Sequence, residues 1–390
     1  MIEQPSRHLV TVSEPAERRR ILYVANVAWF FASHRLPLAL AARAAGYDVH
    51  VAAGSEGASA ILESELPFHP LNVVRGATSL RNDLELLQSL VRLYRGVAPD
   101  IVHHVGMKPV VFGSLAARRV GVPWVVNAVS GMGTLALARG ARARVRRLIV
   151  RPLLRAGSNR PRCRVIFQNA VDQAEYVATG IVNPDRAVLI PGSGVDLDEF
   201  RASPQPDGLP VVLLPARVIY DKGVGEFVEA ARLLRARGVL ARFALAGRLD
   251  PDNATGVTRD VLDRWVAEGV VEWWGEAGDM PRAYRAAAVV CLPSYREGMP
   301  KALLEAAASG RAIVTTDTPG CRDCIEEGRT GLLVPARDAV ALADALQVLL
   351  ADNAKRIRYG AAGRALAERQ FDVRFVIDRH LALYHSLVSP

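Results

Sequence analysis

A chain of 390 residues, half of them hydrophobic, is too long for one ordinary core and suits two domains of roughly 150–200 residues each. Its 49 Lys and Arg against 40 Asp and Glu leave a net charge of +9, which favours anionic partners such as phosphorylated metabolites, acidic lipids or nucleic acid. Four scattered cysteines (Cys163, Cys291, Cys321, Cys324) make no disulfide framework, no stretch reaches the ~18 uninterrupted apolar residues of a membrane span, and the polar start carries no secretory signal, so the expected place is the cytoplasm or the face of a membrane.

Residues 1–19 read as a loose tail. The first strand is expected over Ile21–Asn26, then a helix from about Leu36 to Ala45 closed by Gly46, then a strand over Asp48–Gly54. Further strands are expected at Ile101–Val105, Trp124–Val129, Val165–Gln168 and Val188–Ile190. The segment from Arg201 to Pro210 holds three prolines and a glycine and reads as a linker. The alternation then restarts, with strands expected at Val211–Ala216, Arg242–Ala246, Val270–Trp274, Val289–Leu292, Ala312–Thr315 and Leu332–Val334. A last helix over about Val373–Leu387 suits packing on either half. Short apolar strands alternating with helices indicate parallel sheets wrapped on both faces. The predicted fold is α/β: two Rossmann-like, doubly wound domains over residues 20–200 and 211–372, facing across a cleft, with 373–390 as a terminal helix. Ligands of such sheets sit beyond the carboxyl ends of the strands.

The stretch Leu292-Pro293-Ser294-Tyr295-Arg296-Glu297-Gly298-Met299-Pro300-Lys301-Ala302-Leu303-Leu304-Glu305 reads as strand, loop and helix. Pro300 suits the first helical turn and Gly310 the helix end, which puts Glu297 in the loop and Glu305 about two turns inside the helix. The free amides of that first turn favour an anion such as phosphate, and a carboxylate accepts hydrogen bonds from vicinal hydroxyls. Together these suit a nucleotide sugar, with hydroxyls at both ends and a diphosphate between. Alone, the two glutamates also fit solvated helix-end charges.

The same residues resemble the donor motif of glycosyltransferase family 4, whose members have the GT-B fold: Glu297 and Glu305 match its Glu-x7-Glu spacing. The resemblance implies that Glu297, with the loop and helix start Gly298, Met299, Pro300, Lys301 and Leu303, holds the donor sugar, and that Glu305 holds the ribose. Arg217-Val218-Ile219-Tyr220-Asp221-Lys222-Gly223 resembles the family's Arg-x4-Lys-Gly element. Two cations at a strand end can neutralise a departing diphosphate, so Arg217 and Lys222 join Glu297 as the expected catalytic residues. The resemblance implies no metal and no cofactor, the nucleotide sugar being a co-substrate. Asp250-Pro251-Asp252 mimics a metal-binding pair but reads as a turn, and Cys321-Arg322-Asp323-Cys324 reads as structural.

In the first half, Phe31-Ala32-Ser33-His34-Arg35-Leu36-Pro37-Leu38, Asp100–Ser114 and Ser130-Gly131-Met132-Gly133 resemble the branch of family 4 that extends lipid-linked sugars in bacterial polysaccharide and glycan assembly. This puts His34, Arg35, His103 and Lys108 on the acceptor side, although a strand-end histidine also suits a core. The family's Gly-Gly loop is missing at Asn26-Val27-Ala28-Trp29, and His104 is an extra histidine beside His103. From Arg139 to Arg164 there are ten arginines and no acidic residue. A helix there would present Arg142, Arg146, Arg147 and Arg151 to an anionic membrane or an acceptor pyrophosphate, unless it is only a solvated face. No nucleic-acid motif or interleaved aromatic platform is present.

The resemblance therefore implies a retaining, metal-independent hexosyltransferase. It would move a sugar, with UDP as the expected nucleotide, to a polyprenyl-diphosphate-linked acceptor at the inner face of a bacterial membrane. Two other classes fit the same architecture: a nucleotide-sugar 2-epimerase, and a non-catalytic sugar-nucleotide sensor.

Overall fold

The computed structural model describes residues 18–73, 80–129, 141–276 and 278–389. Most of the expected tail, the Ser130–Gly133 motif and Arg139 lie outside them.

The first half is one parallel sheet. Its strands are β1 (Arg20–Val27), β2 (Asp48–Gly54), β3 (Phe68–Pro70), β4 (Ile101–Val105), β5 (Trp124–Val129), β6 (Cys163–Phe167) and β7 (Ala187–Leu189), in the spatial order β3-β2-β1-β4-β5-β6-β7. The helices are α1 (Ala28–Ala44), α2 (Ser59–Glu63), α3 (Leu80–Val97), α4 (Ser114–Val120), α5 (Ala141–Ser158) and α6 (Ala170–Ala178). The apolar run of β1 serves both faces, as a central strand must. Ile21, Tyr23 and Ala25 pack with Phe31 and Leu38 of α1, while Leu22 and Val24 pack with Leu86, Leu90 and Tyr94 of α3. Two elements depart from the sequence reading. α1 starts eight residues earlier than expected, because it runs straight through Pro37, which marks a first turn in most helices. β3 is a three-residue edge strand ending in Pro70; an edge tolerates proline, but so short a run carries no readable alternation.

The second half repeats the plan. Its strands are β8 (Val211–Leu214), β9 (Arg242–Leu245), β10 (Glu272–Trp273), β11 (Val289–Leu292), β12 (Ala312–Thr316) and β13 (Gly331–Val334), in the order β10-β9-β8-β11-β12-β13, all parallel. Its helices are α7 (Val224–Ala236), α8 (Arg259–Ala267), α9 (Met280–Ala286), α10 (Lys301–Ala308), α11 (Ala339–Ala351), α12 (Asn353–Gln370) and α13 (Val373–Val388). Aspartates cap several of them: Asp279, Asp338 and Asp352 each accept a hydrogen bond from the amide three residues on. Val211 and Leu213 of β8 face Leu303, Leu304 and Leu366, and Val212 and Leu214 face Phe227 and Leu342.

The chain crosses between the halves twice. At the crossings Val195 N–H donates to the Phe371 carbonyl (2.8 Å) and Val373 N–H to the Val195 carbonyl (3.0 Å). α13 then lies on the first sheet, where Val376, Tyr384 and Leu387 complete the core beside α1. The linker of residues 201–210 is anchored by a buried arginine. Arg311, fully buried, donates to the Pro204 carbonyl (3.0 Å), and Arg364 donates to that of Phe200 (2.9 Å).

Candidate active site

Each sheet reverses its strand order once, between β1 and β4 in the first and between β8 and β11 in the second. At such a point the two outgoing loops part and leave a crevice. Both halves of the predicted donor motif leave the second crevice: Arg217 and Lys222 follow β8, and Glu297 follows β11.

Lys222 ends a single 3-10 turn, and Gly223 follows it in the left-handed region at φ 73°. A side chain at Gly223 would strike the Pro293 carbonyl, so the two loops touch only because residue 223 is glycine. They are further tied by Tyr295 N–H to the Asp221 carbonyl (3.0 Å), and Ser294 Oγ lies 3.1 Å from the same oxygen. Within this frame Lys222 Nζ forms an ion pair with Glu297 Oε1, and Ser294 Oγ donates to that carboxylate oxygen at 2.6 Å. Arg217 pairs with Asp250, which is buried after β9; the Asp250-Pro251-Asp252 turn thus offers a counter-ion to an arginine.

Glu305 stands just over one turn into α10, not two, because Pro300 is the N-cap and the helix begins at Lys301. Its flanking residues are apolar, so the helix buries it, to 8% exposure. Tyr284 OH lies 2.9 Å from Oε2 and Lys301 Nζ 3.1 Å from Oε1. Burial pushes its carboxyl above the usual carboxylate range, and Lys301 and Tyr284 oppose that shift. A buried carboxylate with two donors is preset to bind hydroxyls without reorganising. Gly298, Met299, Pro300 and Leu303 line the same loop and helix start. Met299 and Leu303 are themselves buried in the second core.

The first half treats its four predicted residues unequally. His34 stacks on Phe30 (ring centroids 4.2 Å apart) and its Nδ1 lies 3.2 Å from the Phe30 carbonyl. A carbonyl only accepts, so Nδ1 carries the hydrogen. Burial, then the positive charges of Lys301 and Arg35, push the His34 pKa down to about 3. Lys108 pairs with Asp83 at 3.0 Å. Arg35 and His103 do not reach the crevice, contrary to their predicted acceptor role. Arg35 is 2% exposed on the sheet-facing side of α1, and His103 is fully buried with its Nδ1 2.6 Å from Tyr384 OH. The cause is α13, which covers that face of β4; His380 of α13 stacks on His103 at 5.7 Å. The extra His104 faces the other side, between Tyr94 OH (2.8 Å) and Asn127 Oδ1 (2.8 Å).

α5 covers residues 141–158 of the arginine-rich segment, and Arg164 lies in β6. Arg151 and Arg155 are exposed, Leu148 is 69% exposed and Leu154 is buried; the side chains of Arg142, Arg146 and Arg147 lie outside the described residues. Among the described residues no helix is long and apolar enough to cross a membrane. Cys321 and Cys324 are buried free thiols, and burial pushes Cys321 up to about 11.

Sequence reasoning missed the supporting residues Ser294, Tyr284, Asn169 and Asp172. Ser294 was quoted only as part of the motif. Asn169 and Asp172 carry one local signal, an N-cap Asn before a helix, which says nothing of a contact with the other half.

Two doubly wound domains with charged loops beyond their strand ends form a GT-B architecture, and comparison with known proteins gives the class, sugar-transferring enzymes. Residues 20–169 match the model described as glycosyl transferase 4-like, and residues 209–352 match glycosyl transferases group 1. The chain belongs to this glycosyltransferase family. It is 28% identical over 313 residues to the N,N'-diacetylbacillosaminyl-diphospho-undecaprenol alpha-1,3-N-acetylgalactosaminyltransferase of Campylobacter jejuni, covering 77% of this chain and 80% of that protein. It is 32% identical over 211 residues to the phosphatidyl-myo-inositol mannosyltransferase of Mycobacterium leprae, covering 52% of this chain and 54% of the relative. Among solved structures, sucrose-phosphate synthase from Thermosynechococcus elongatus superposes with TM-score 0.77 at 21% identity, over 95% of this chain and 99% of that one. Anabaena HepE in complex with UDP and glucose gives 0.76 at 17% identity, over 95% and 100%.

Proposed function

We propose that this glycosyltransferase moves a sugar, with retention of anomeric configuration, from a UDP-linked donor to a polyprenyl-diphosphate-linked sugar in bacterial polysaccharide or glycan assembly. The observation that carries the reading is the charge arrangement at the second crevice: Lys222, Glu297 and Ser294 in contact, Arg217 at the adjoining strand end, and Glu305 buried with two donors. Support for the acceptor comes from the Campylobacter relative, whose name specifies a diphospho-undecaprenol-linked sugar.

In this reading the domain of residues 211–372 binds the donor and that of 20–200 the acceptor. The ribose hydroxyls donate to Glu305. Glu297 takes the sugar, and the loop from Gly298 to Lys301 lies along the sugar and the diphosphate next to it, while Leu303 packs behind the loop in the core. The diphosphate lies by Lys222 and Arg217, which stabilise the negative charge that grows as the sugar bond breaks. Prepositioned donors of this kind account for about 100- to 1000-fold in rate each. The acceptor enters by His34 and Lys108, and α5 rests on the anionic inner face of the membrane through Arg151 and its neighbouring arginines. The reaction needs neither metal nor cofactor in this scheme.

The test is release of nucleoside diphosphate from a panel of UDP- and GDP-sugars, with and without a polyprenyl-diphosphate-sugar extract and without added metal. Release that depends on the lipid supports transfer. Donor conversion without lipid indicates the epimerase, and binding without turnover the sensor.

A further inference from the structure

Asn169 belongs to the first half, yet its side chain reaches the donor loop of the second. It is the N-cap of α6, with extended backbone, and its Oδ1 accepts from the Asp172 amide at 2.8 Å. That bond fixes which end of the side-chain amide is oxygen, so the other end, Nδ2, is the donor. Nδ2 donates to the Gly298 carbonyl at 2.7 Å, lies 3.1 Å from Asp172 Oδ2 and comes within 3.5 Å of the Glu297 carbonyl. Arg296, beside that loop, pairs with buried Asp172 and with Glu175 (2.8 Å), also on α6. A Cβ at Gly320 would collide with the carbonyl oxygens of both Glu297 and Gly298.

Two consecutive carbonyls therefore face one side, toward Asn169 and Gly320. The peptide bonds are trans, and a trans peptide points its N–H opposite to its C=O. The amides of Gly298 and Met299 accordingly face the other way together. Among the described residues neither meets a backbone acceptor. Adjacent amides aimed alike form an anion-receiving concavity.

We infer that Asn169 is a positioning residue that presets, from the opposite domain, the Gly298 and Met299 amides to receive the diphosphate of the donor. The inference rests on the donor-site reading above. It makes the anion site a property of the docked pair of domains and not of the second domain alone.

Asn169→Ser keeps an oxygen that caps α6 but has no N–H to reach Gly298, whereas Asn169→Ala loses both. Each variant is compared with wild type for melting temperature, for calorimetric binding of whichever of UDP or GDP the wild type binds, and for acceptor KM. Asn169→Ser is expected to melt near wild type and to bind the nucleotide about tenfold more weakly, with acceptor KM unchanged. Asn169→Ala is expected to show the same binding loss at a lower melting temperature. Wild-type nucleotide binding by Asn169→Ser, or binding that follows melting temperature across both variants, overturns the inference. Glu305→Ala separates the two failures: if it leaves nucleotide binding intact, the donor-site reading itself falls, and this inference with it.

Discussion

The two crevices contrast in how they use polar residues. At the second, Lys222, Glu297, Ser294, Arg217 and Glu305 sit at loop and helix starts, where local geometry keeps them at the strand ends. At the first, Arg35 and His103 come from elements of equal promise but point into the layer between sheet and helices. A motif in a loop after a strand carries its own address. A polar residue inside a strand or helix has a face, and the face is decided by whatever covers it, here by α13, which is remote in sequence.

The contrast breaks most easily through the cations. Lys222→Ala or Arg217→Ala should reduce turnover by about 100- to 1000-fold, with a smaller loss in nucleotide affinity. A larger loss in affinity than in turnover, measured by steady-state kinetics beside calorimetry, would make them binding residues only. Next in size, Glu305→Ala should weaken nucleotide binding more than Glu297→Ala does, because Glu305 is assigned to the ribose of the nucleotide and Glu297 to the sugar. Equal losses in the same titration remove that distinction.

The first crevice should respond in stability instead. His103→Leu strands the Tyr384 hydroxyl, which retains Tyr23 OH at 3.1 Å as a neighbour, and should cost about 1–3 kcal/mol by chemical denaturation while turnover stays within a few-fold of wild type. A large loss of turnover with unchanged stability would return His103 to the reacting atoms.

Acid should act on both faces of the first sheet. His104 and His380 are pushed down to about 4 and about 3 by burial, and His103 lies well below its ordinary value. Below about pH 6.5 the unfolded chain binds protons that the folded one refuses. Stability is therefore full above that pH and falls as the pH drops toward the folded values, by up to roughly 1.4 kcal/mol per pH unit for each histidine. Melting temperature followed from pH 7 to pH 5 should decline, and His380→Phe should flatten the decline. The smallest expected effect is at α5, where Arg151→Glu should weaken binding to vesicles containing anionic lipid by roughly fivefold or somewhat more. Unchanged co-sedimentation would leave that helix a solvated face.

Much of the fold was legible because buried parallel strands read as apolar runs: the expected spans of β2, β4, β5 and β11 coincide with the observed ones. β3 was not legible, being a three-residue edge, nor was the start of α1, since Pro37 imitates a first turn. Composition marked residues 201–210 as a linker, but not that buried Arg311 clamps it from more than a hundred residues away. Within the candidate site, the residues that share one local motif were readable and their supports were not. Tyr284 meets Glu305 across 21 positions and Asn169 meets Gly298 across 129, distances over which no periodicity carries information.

α13 has a consequence for how the chain matures. Tyr384 meets Tyr23 and His103 across 361 and 281 positions, and the face of β1 and β4 that they share, largely apolar but carrying His103 and the Tyr23 hydroxyl, is completed by α13. Domains emerging from the ribosome fold in order, N-terminal first, at about 5–20 residues per second. Here the first sheet is synthesised early and closed late. For the time needed to make the whole second half it carries an uncovered flank, which is where a chaperone would bind and where a stalled or truncated chain would begin to aggregate.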